Sequence, residues 1–461
     1  MVFLQADHTL DLDLIQKYDR PAPRYTSYPP ATELSEAFTE SDFRAAIAAS
    51  NARQTPLSLY FHIPFCQSAC YFCGCNVIVS GNKNIAKPYL EYLTRELEQA
   101  ASLIDTERPV LQLHWGGGTP NYLDQEQVEY LWSVINRHFK LDAGAEISIE
   151  VNPRYLDQNY IYFLRDLGFN RISFGIQDFN PQVQEAVNRV QPESLLVNAM
   201  GWIRSADFES VNVDLIYGLP HQTLQTFRDT VRKTIDLHPD RIAIFNFAYV
   251  PWMKPVQRNL DLAAMPSPQE KLEILKMTIE ELTGHGYLYI GMDHFAKLGD
   301  ELAIAQSDRT LKRNFQGYTT KPETELFGFG ATSISMLEDA YAQNHKQLRD
   351  YYAAIDAGQL PTCKGFRLSS ADILRRDVIM RLMSHSELVK AEIEQKYGIH
   401  FDSYFAPELE ALKPLEADQL VRLSDDKIYI TTMGRLVVRN IALVFDAYAS
   451  NRAETRLSRT I

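Results

Sequence analysis

Four of the chain's five cysteines, Cys66, Cys70, Cys73 and Cys75, fall within ten residues. The first three follow the spacing C-x3-C-x2-C, which lets their thiolates point inward from one tight loop. Soft thiolates so placed suit an iron–sulfur cluster, and three of them leave one iron of a four-iron cluster without a protein ligand. An iron left open in this way can bind a small molecule and react with it. A structural zinc ion would instead want four ligands, usually from two separated knuckles. Here Cys75 follows Cys73 too closely to complete a tetrahedron, and Cys363 lies far off and alone. The spacing favours a cluster over zinc. Disulfides are not expected, because cysteines are few and the first residues lack a signal-peptide pattern. Cys363 reads as a small buried hydrophobe.

The 461 residues are 45% apolar and 23% charged, ample for a packed core. No apolar run approaches the ~20 residues that span a bilayer. The reading is a cytoplasmic protein, where thiols stay reduced. A net charge of −13 argues against a broad nucleic-acid surface, which shows as a basic excess. It still leaves room for a local basic pocket around an anionic substrate.

Residues 1–55 read as an N-terminal arm. The prolines and aromatics between Arg20 and Pro30 favour an ordered, irregular path over a helix. Beyond it, short apolar runs begin at Leu57, Val110, Glu146, Arg171, Val211 and Arg241. Segments of helical period accompany them, at 86–104, 125–139, 224–237 and 268–285. This alternation predicts βα units and a parallel sheet. Six units suffice for an incomplete barrel, although an open two-layer sheet would show the same pattern. Barrel, with extension, is expected over 56–363.

Reactive residues in such barrels sit at the C-terminal ends of the strands. Cys66 follows the first predicted strand, and Gly116-Gly117-Gly118-Thr119-Pro120 the second. Glu150, Gln177, Asp214 and the stretch Asn246–Ala248 mark the next four. One such residue means little, but six in succession on one rim point to a site. The last segment, 364–461, changes character. Helical patterns at 371–383 and 386–397 precede a hairpin-like stretch (420–423 and 428–430) and a helix over 432–447. Such a winged-helix-like domain often binds DNA, yet its 15 basic and 14 acidic residues lack the basic footprint. A lid or docking domain fits better.

On these residues the chain resembles the radical S-adenosylmethionine (SAM) superfamily, and within it the oxygen-independent coproporphyrinogen III oxidase family. The likeness covers nearly the whole chain. It includes Arg24-Tyr25-Thr26-Ser27-Tyr28-Pro29, Tyr60-Phe61-His62-Ile63-Pro64-Phe65-Cys66, Cys70-Tyr71-Phe72-Cys73-Gly74-Cys75-Asn76 and His114-Trp115-Gly116-Gly117-Gly118-Thr119-Pro120. Further on it includes Asp214-Leu215-Ile216-Tyr217-Gly218-Leu219-Pro220, Gly291-Met292-Asp293-His294-Phe295-Ala296 and Arg313-Asn314-Phe315-Gln316-Gly317-Tyr318-Thr319-Thr320. The three-cysteine motif names only the superfamily. Cys75 and the Asn-Phe-Gln-Gly-Tyr-Thr run narrow it to the family. Asn152 departs from the pattern, where an acidic residue is expected after Glu150-Val151.

The resemblance implies an incomplete (β/α)6 radical SAM barrel with one 4Fe-4S cluster on Cys66, Cys70 and Cys73, and two SAM molecules. The first SAM would meet Tyr60, Gly117, Glu150 and Ile334. The second would meet Phe72, Gly118, Thr119, Gln177, Arg189, Asp214 and Ala248. Tyr60 and Cys75 are the candidate catalytic residues. Taken alone, Arg189 would read as a surface ion pair and Tyr60 as a core aromatic. The implied substrate is coproporphyrinogen III, two of whose propionates become vinyl groups in anaerobic haem biosynthesis, giving protoporphyrinogen IX. Arg24 and Arg313 are candidates for holding propionates, since guanidinium forks suit carboxylates. Electrons would come from a one-electron donor protein. The chain would act as a monomer with neither nucleic acid nor membrane as partner. Two rival readings are a haem chaperone on the same scaffold and a zinc-stabilised winged-helix regulator.

Overall fold

The six expected strands form in order: β1 (Leu57–Ile63), β2 (Pro109–Gly117), β3 (Lys140–Val151), β4 (Arg171–Gln177), β5 (Ser210–Tyr217) and β6 (Arg241–Asn246). Each pairs in parallel with the next. Central parallel strands are covered on both faces, so they read as nearly continuous apolar runs; six of the seven residues of β1 are buried. The computed structural model describes residues 11–321 and 323–449. The outer ends of the expected arm and C-terminal domain, 1–10 and 450–461, lie outside the described residues.

Helices cross back between the strands: α2 (Ala86–Ala101), α3 (Gln125–His138), α4 (Gln158–Leu167), α5 (Glu193–Ser205) and α6 (Leu224–Asp236). Capping boxes at Asp124/Gln127 and Thr223/Thr226 fix where α3 and α6 begin. The preceding helix, α1 (Glu40–Arg53), lies inside the segment expected to be irregular. Its start is set by a reciprocal cap between Thr39 and Asp42, a signal that the prolines upstream obscured.

After the sixth unit the chain returns to the other edge. Strand β7 (Glu325–Phe329) pairs in parallel with β1, and β8 (Ile334–Met336), β9 (Ala340–Asn344) and β10 (Thr362–Arg367) follow antiparallel. The order in this unit is β10-β9-β8-β7-β1-β2-β3-β4-β5-β6. This is the incomplete barrel, extended on its β1 side. Strand β3 begins at Lys140, six residues before the apolar run that announced it.

The chain divides into two compact units. The first, Leu34–Pro266 with Glu323–Arg367, holds β1 to β10. The second combines, as far as described, Met1–Glu33, Ser267–Pro322 and Leu368–Ile461. Arm residues Tyr25 and Tyr28 belong to its apolar core, with Val378, Phe401, Ile441 and Phe445. Its helix Ser370–His385 leads into a three-stranded sheet ordered Glu387–Val389, Lys427–Ile430, Val421–Leu423. The expected hairpin is there. Residues 387–389, read as helical from sequence, are its third strand, and the expected 432–447 helix is two short pieces, Thr432–Leu436 and Val438–Leu443.

A buried ion pair ties β7 to the start of β2. Arg108, whose side chain is 1% exposed, reaches Glu325 at 3.5 Å, and Arg53 reaches the same carboxylate at 2.7 Å. Replacing Glu325 by Ala strands the Arg108 charge, which costs about 3–5 kcal/mol. Thermal denaturation should show a large fall in midpoint for Glu325→Ala. Lys140→Ala, at an exposed ion pair with Glu107, should move it little.

Candidate active site

The cysteines sit on a loop closed upon itself. Phe65–Cys66 pairs in parallel with Ile78–Val79, Ile78 N donates to Pro64 O at 2.7 Å, and Ser80 N donates to Cys66 O at 2.9 Å. The glycine run at the end of β2 presses against this loop. Gly118 N donates to Ile63 O at 2.8 Å, and a Cβ there would lie 2.8 Å from Phe65 O. Gly117 has φ 112°, and a Cβ on it would lie 2.6 Å from the His62 ring. Only glycine fits both the backbone and the contact. The fold therefore demands these glycines whatever ligand they also approach.

A cavity of about 430 Å³ opens at the strand ends. Cys66, Cys70, Cys73 and Cys75 line it together with Phe72, Gly117, Gly118 and Thr119. Glu150, Gln177, Arg189 and Asp214 contribute polar groups to the same wall. Twelve expected residues, scattered over 149 positions of sequence, thus meet at one place. Three do not line it. Tyr60 lies behind, stacked on His114 with ring centroids 5.8 Å apart. Ile334 backs Gly328, whose would-be Cβ lies 2.8 Å from the Ile334 carbonyl oxygen. Ala248 accepts through its carbonyl from Gln257 at 3.2 Å.

Each thiol has a distinct setting. Arg154 and Arg189 donate toward Cys70 Sγ at 3.7 and 3.6 Å, and Cys66 Sγ lies 3.3 Å from Thr119 Oγ1. Burial pushes the Cys66 thiol up to about 11. Cys73 is brought down to about 6 by its hydrogen bond with Cys75, helped by Lys254 and Arg189, and the same pairing pushes Cys75 up. Burial carries Asp214 up to about 7, aided by the nearby Glu150 charge, although Asn212 donates to it at 2.8 Å. For Glu150, burial acts upward but is outweighed by His114 and by the Gly117 N–H, 3.3 Å away, so its carboxyl is held below the usual range.

His62 is kept neutral by burial, with its pKa lowered to about 4. A neutral ring with one N–H can donate from Nε2 to Asn76 O (3.3 Å) and accept the Tyr60 hydroxyl at Nδ1 (2.9 Å). Tyr60 is in this way linked through His62 to the end of the cysteine loop.

The residues present fit a cluster and a polar cationic cofactor. Buried Gln177 Oε1 and Arg189 Nε, on the cavity wall, have no hydrogen-bond partner within the chain. Such orphaned groups are costly unless a ligand completes them. Among the described residues no group of three or more His, Cys, Asp or Glu is disposed around a single metal ion. In a four-iron cluster each thiolate takes its own iron, so the sulphurs stand farther apart than around one ion.

Several site residues escaped the sequence reading. Buried Gln257 donates to Phe72 O and Ala248 O, both at 3.2 Å, and accepts from Val250 N at 2.6 Å. It ties the loop after β6 to the cysteine loop. Lys254 Nζ donates to Cys75 O at 2.7 Å. Position after the sixth strand could have flagged Lys254; nothing in the sequence marks Gln257. Asn152, the departure from the expected pattern, is 5% exposed and exchanges hydrogen bonds with Asn121. It holds the loop after β3. Arg24, paired with Asp293, and Arg313, over the Tyr318 ring at 4.3 Å, both belong to the second unit.

The fold and cavity define a class, and relatives agree with it. Residues 60–234 match the model of the radical SAM superfamily, and 368–437 that of the HemN C-terminal domain. A protein of Synechocystis named oxygen-independent coproporphyrinogen III oxidase is 58% identical over 454 residues, covering 97% of each chain. The protein of that name from Escherichia coli K12 is 47% identical, covering 98% of each. A solved structure described as coproporphyrinogen III oxidase (HemN) from Escherichia coli, a radical SAM enzyme, superposes with TM-score 0.91 at 46% identity, covering 95% of this chain and 99% of that one. The protein is a radical SAM enzyme. Within that superfamily it belongs to the oxygen-independent coproporphyrinogen III oxidase family.

The glycine contacts generate a test. Gly118→Ala must displace the Phe65 backbone and with it the cysteine loop, so iron and sulfide bound per chain after anaerobic reconstitution should fall sharply. Gly201→Ala, where nothing lies within 4 Å of the new methyl group, should bind as much as the parent protein.

Proposed function

We propose that the cavity at the strand ends carries out the family reaction through two SAM molecules beside one four-iron cluster. The enzyme is an oxidoreductase of anaerobic haem biosynthesis, converting coproporphyrinogen III to protoporphyrinogen IX. The observation that carries the site reading is the convergence of four thiols, a low-pKa carboxylate, a near-neutral carboxyl and a buried guanidinium on one wall. Cys66, Cys70 and Cys73 would hold the cluster, and Cys75, whose N–H donates to Cys73 Sγ at 3.4 Å, would stay off it.

When bound, cluster and SAM supply the one-electron chemistry that opens the reaction. The chain's part is placement and charge. Glu150, ionised and accepting only, suits an ammonium or a ribose hydroxyl of the first SAM, with Gly117, Tyr60 and Ile334 around it. Gln177 and Arg189 offer unpaired polar atoms to the second, with Asp214, Thr119, Gly118, Phe72 and Ala248. Each reacting propionate would give a hydrogen atom to the SAM-derived fragment and one electron to a one-electron acceptor, and would release carbon dioxide, leaving a vinyl group. Tyr60 and Cys75 remain the candidate catalytic residues; Cys75 lines the cavity, whereas Tyr60 would act through His62. The charge balance of 364–461 favours a role toward substrate over one toward nucleic acid. The protein would work in the cytoplasm as a monomer with a one-electron donor protein. No helix among the described residues is long and apolar enough to cross a membrane.

Anaerobic incubation with SAM, a reductant and coproporphyrinogen III should yield protoporphyrinogen IX with two carbon dioxide released per turnover; haem binding without product would favour the chaperone reading. The second-SAM assignment makes a separate prediction about protons. In the ligand-free site Asp214 titrates near 7, so it is largely protonated at about pH 6. A cationic ligand pulls that carboxyl down and releases the proton. Titration calorimetry in two buffers of different ionisation enthalpy should show proton release on SAM binding at about pH 6 and little at about pH 8.5. Asp214→Asn should abolish the release and most turnover while leaving the cluster spectrum intact. Wild-type turnover in that variant would make Asp214 merely structural.

A further inference from the structure

A cavity of about 570 Å³ in the second unit lies outside everything assigned above. Its cationic wall comes from four stretches of chain: Arg309 after the helix Glu301–Ser307, Arg422 and Lys427 on the two hairpin strands, and Arg435 in Thr432–Leu436. Glu387 is the one carboxylate on that wall. It is already engaged twice, by Arg309 at 2.8 Å and Lys427 at 3.4 Å. Four guanidinium or ammonium groups thus share one acid.

Arg435 is the telling member. Its Nη2 donates only to neutral acceptors: Tyr289 O at 2.5 Å, Ile290 O at 3.1 Å and Gln306 Oε1 at 3.3 Å. Its guanidinium also packs over the Tyr289 ring at 5.4 Å. No carboxylate among the described residues pairs with it or with Arg422. A cation withdrawn from water is held at a cost unless an anion meets it. Burial lowers the Arg435 pKa in keeping with that cost. His385, on the same wall, lies with Nε2 2.7 Å from Leu311 O, and an imidazole, neutral or protonated, brings no counter-charge. Serines 307, 386 and 424 add hydroxyls to the lining, and Ile430 is its only aliphatic member.

We propose that this cavity is an anion-binding site for a small molecule carrying two or more phosphate or carboxylate groups. Arginine forks and hydroxyls are the donors that recognise both groups. The volume falls within the range of small-ligand pockets, about 300–1,000 Å³. A concave site suits a compact polyanion better than a DNA backbone, which needs a basic surface, and the surrounding 364–461 segment is nearly neutral. The assignment is independent of the SAM reading, since it involves none of those residues.

The test is calorimetric titration of the full-length, cluster-reconstituted protein at low ionic strength, with pyrophosphate in one arm and tricarballylate in the other. Saturable one-to-one binding in either arm supports the site, and the tighter arm tells phosphate from carboxylate chemistry. Arg422→Glu, an exposed position with no internal partner to lose, should weaken that binding about tenfold or more, as for loss of a charge-assisted contact. Arg435→Gln should weaken it at least as much. Lys140→Glu, the same charge change in the other unit, should not. Absence of saturable binding in both arms overturns the proposal. So does equal weakening by Lys140→Glu, or salt-sensitive binding to duplex DNA without binding to either small anion.

Discussion

The Gly118 N–H to Ile63 carbonyl bond, with Gly117 seated on the His62 ring, is the contact on which the site depends. It exists because β1 and β2 run in parallel with His62 opposite Gly116 and Ile63 opposite Gly117. That register brings the start of the cysteine loop and the glycine run to the same height. The cysteine loop then closes through Pro64, Phe65 and Ile78, and Thr119 meets Cys66. A slip of one residue would turn every side chain of β1 to the opposite face. The barrel thus acts on the chemistry by fixing where two loop starts touch.

Charge is distributed around that junction in a way the chain alone does not balance. Arg189 spends one nitrogen on Cys70 and another on Gly175, and keeps Nε unpartnered. Asp214 is pressed toward neutrality by burial and by Glu150, while Glu150 is held ionised by His114 and the Gly117 N–H. Two carboxyls on one wall with opposite shifts are suited to two different ligand groups. A site finished by its own residues would show neither the orphaned nitrogen nor the raised acid.

Much of this was legible in the sequence because barrels put reactive residues at strand ends. That rule, with apolar runs long enough to fix each strand, puts Cys66, Glu150, Gln177 and Asp214 at strand ends, and all four line the cavity. What was not legible has physical causes. Strands β7, β8 and β9 follow one another with no helix between them, so the alternation of strand and helix that marks β1 to β6 is missing there. Helix α1 was masked by the proline-rich run before it. Gln257 works through main-chain carbonyls of Phe72 and Ala248, contacts that leave no pattern in residue type. At Gly117 and Gly118 the lack of a Cβ first serves the packing against His62 and Phe65, whatever ligand these residues also meet.

On the reading proposed above, three thiolates from one loop would leave one iron open to SAM while Cys75 stays unligated. Mössbauer spectroscopy of protein reconstituted with iron-57, recorded with and without SAM, tests it most directly. Adding SAM should change the isomer shift of one iron in four and leave the other three as they were. Four irons that remain equivalent in the presence of bound SAM would contradict it.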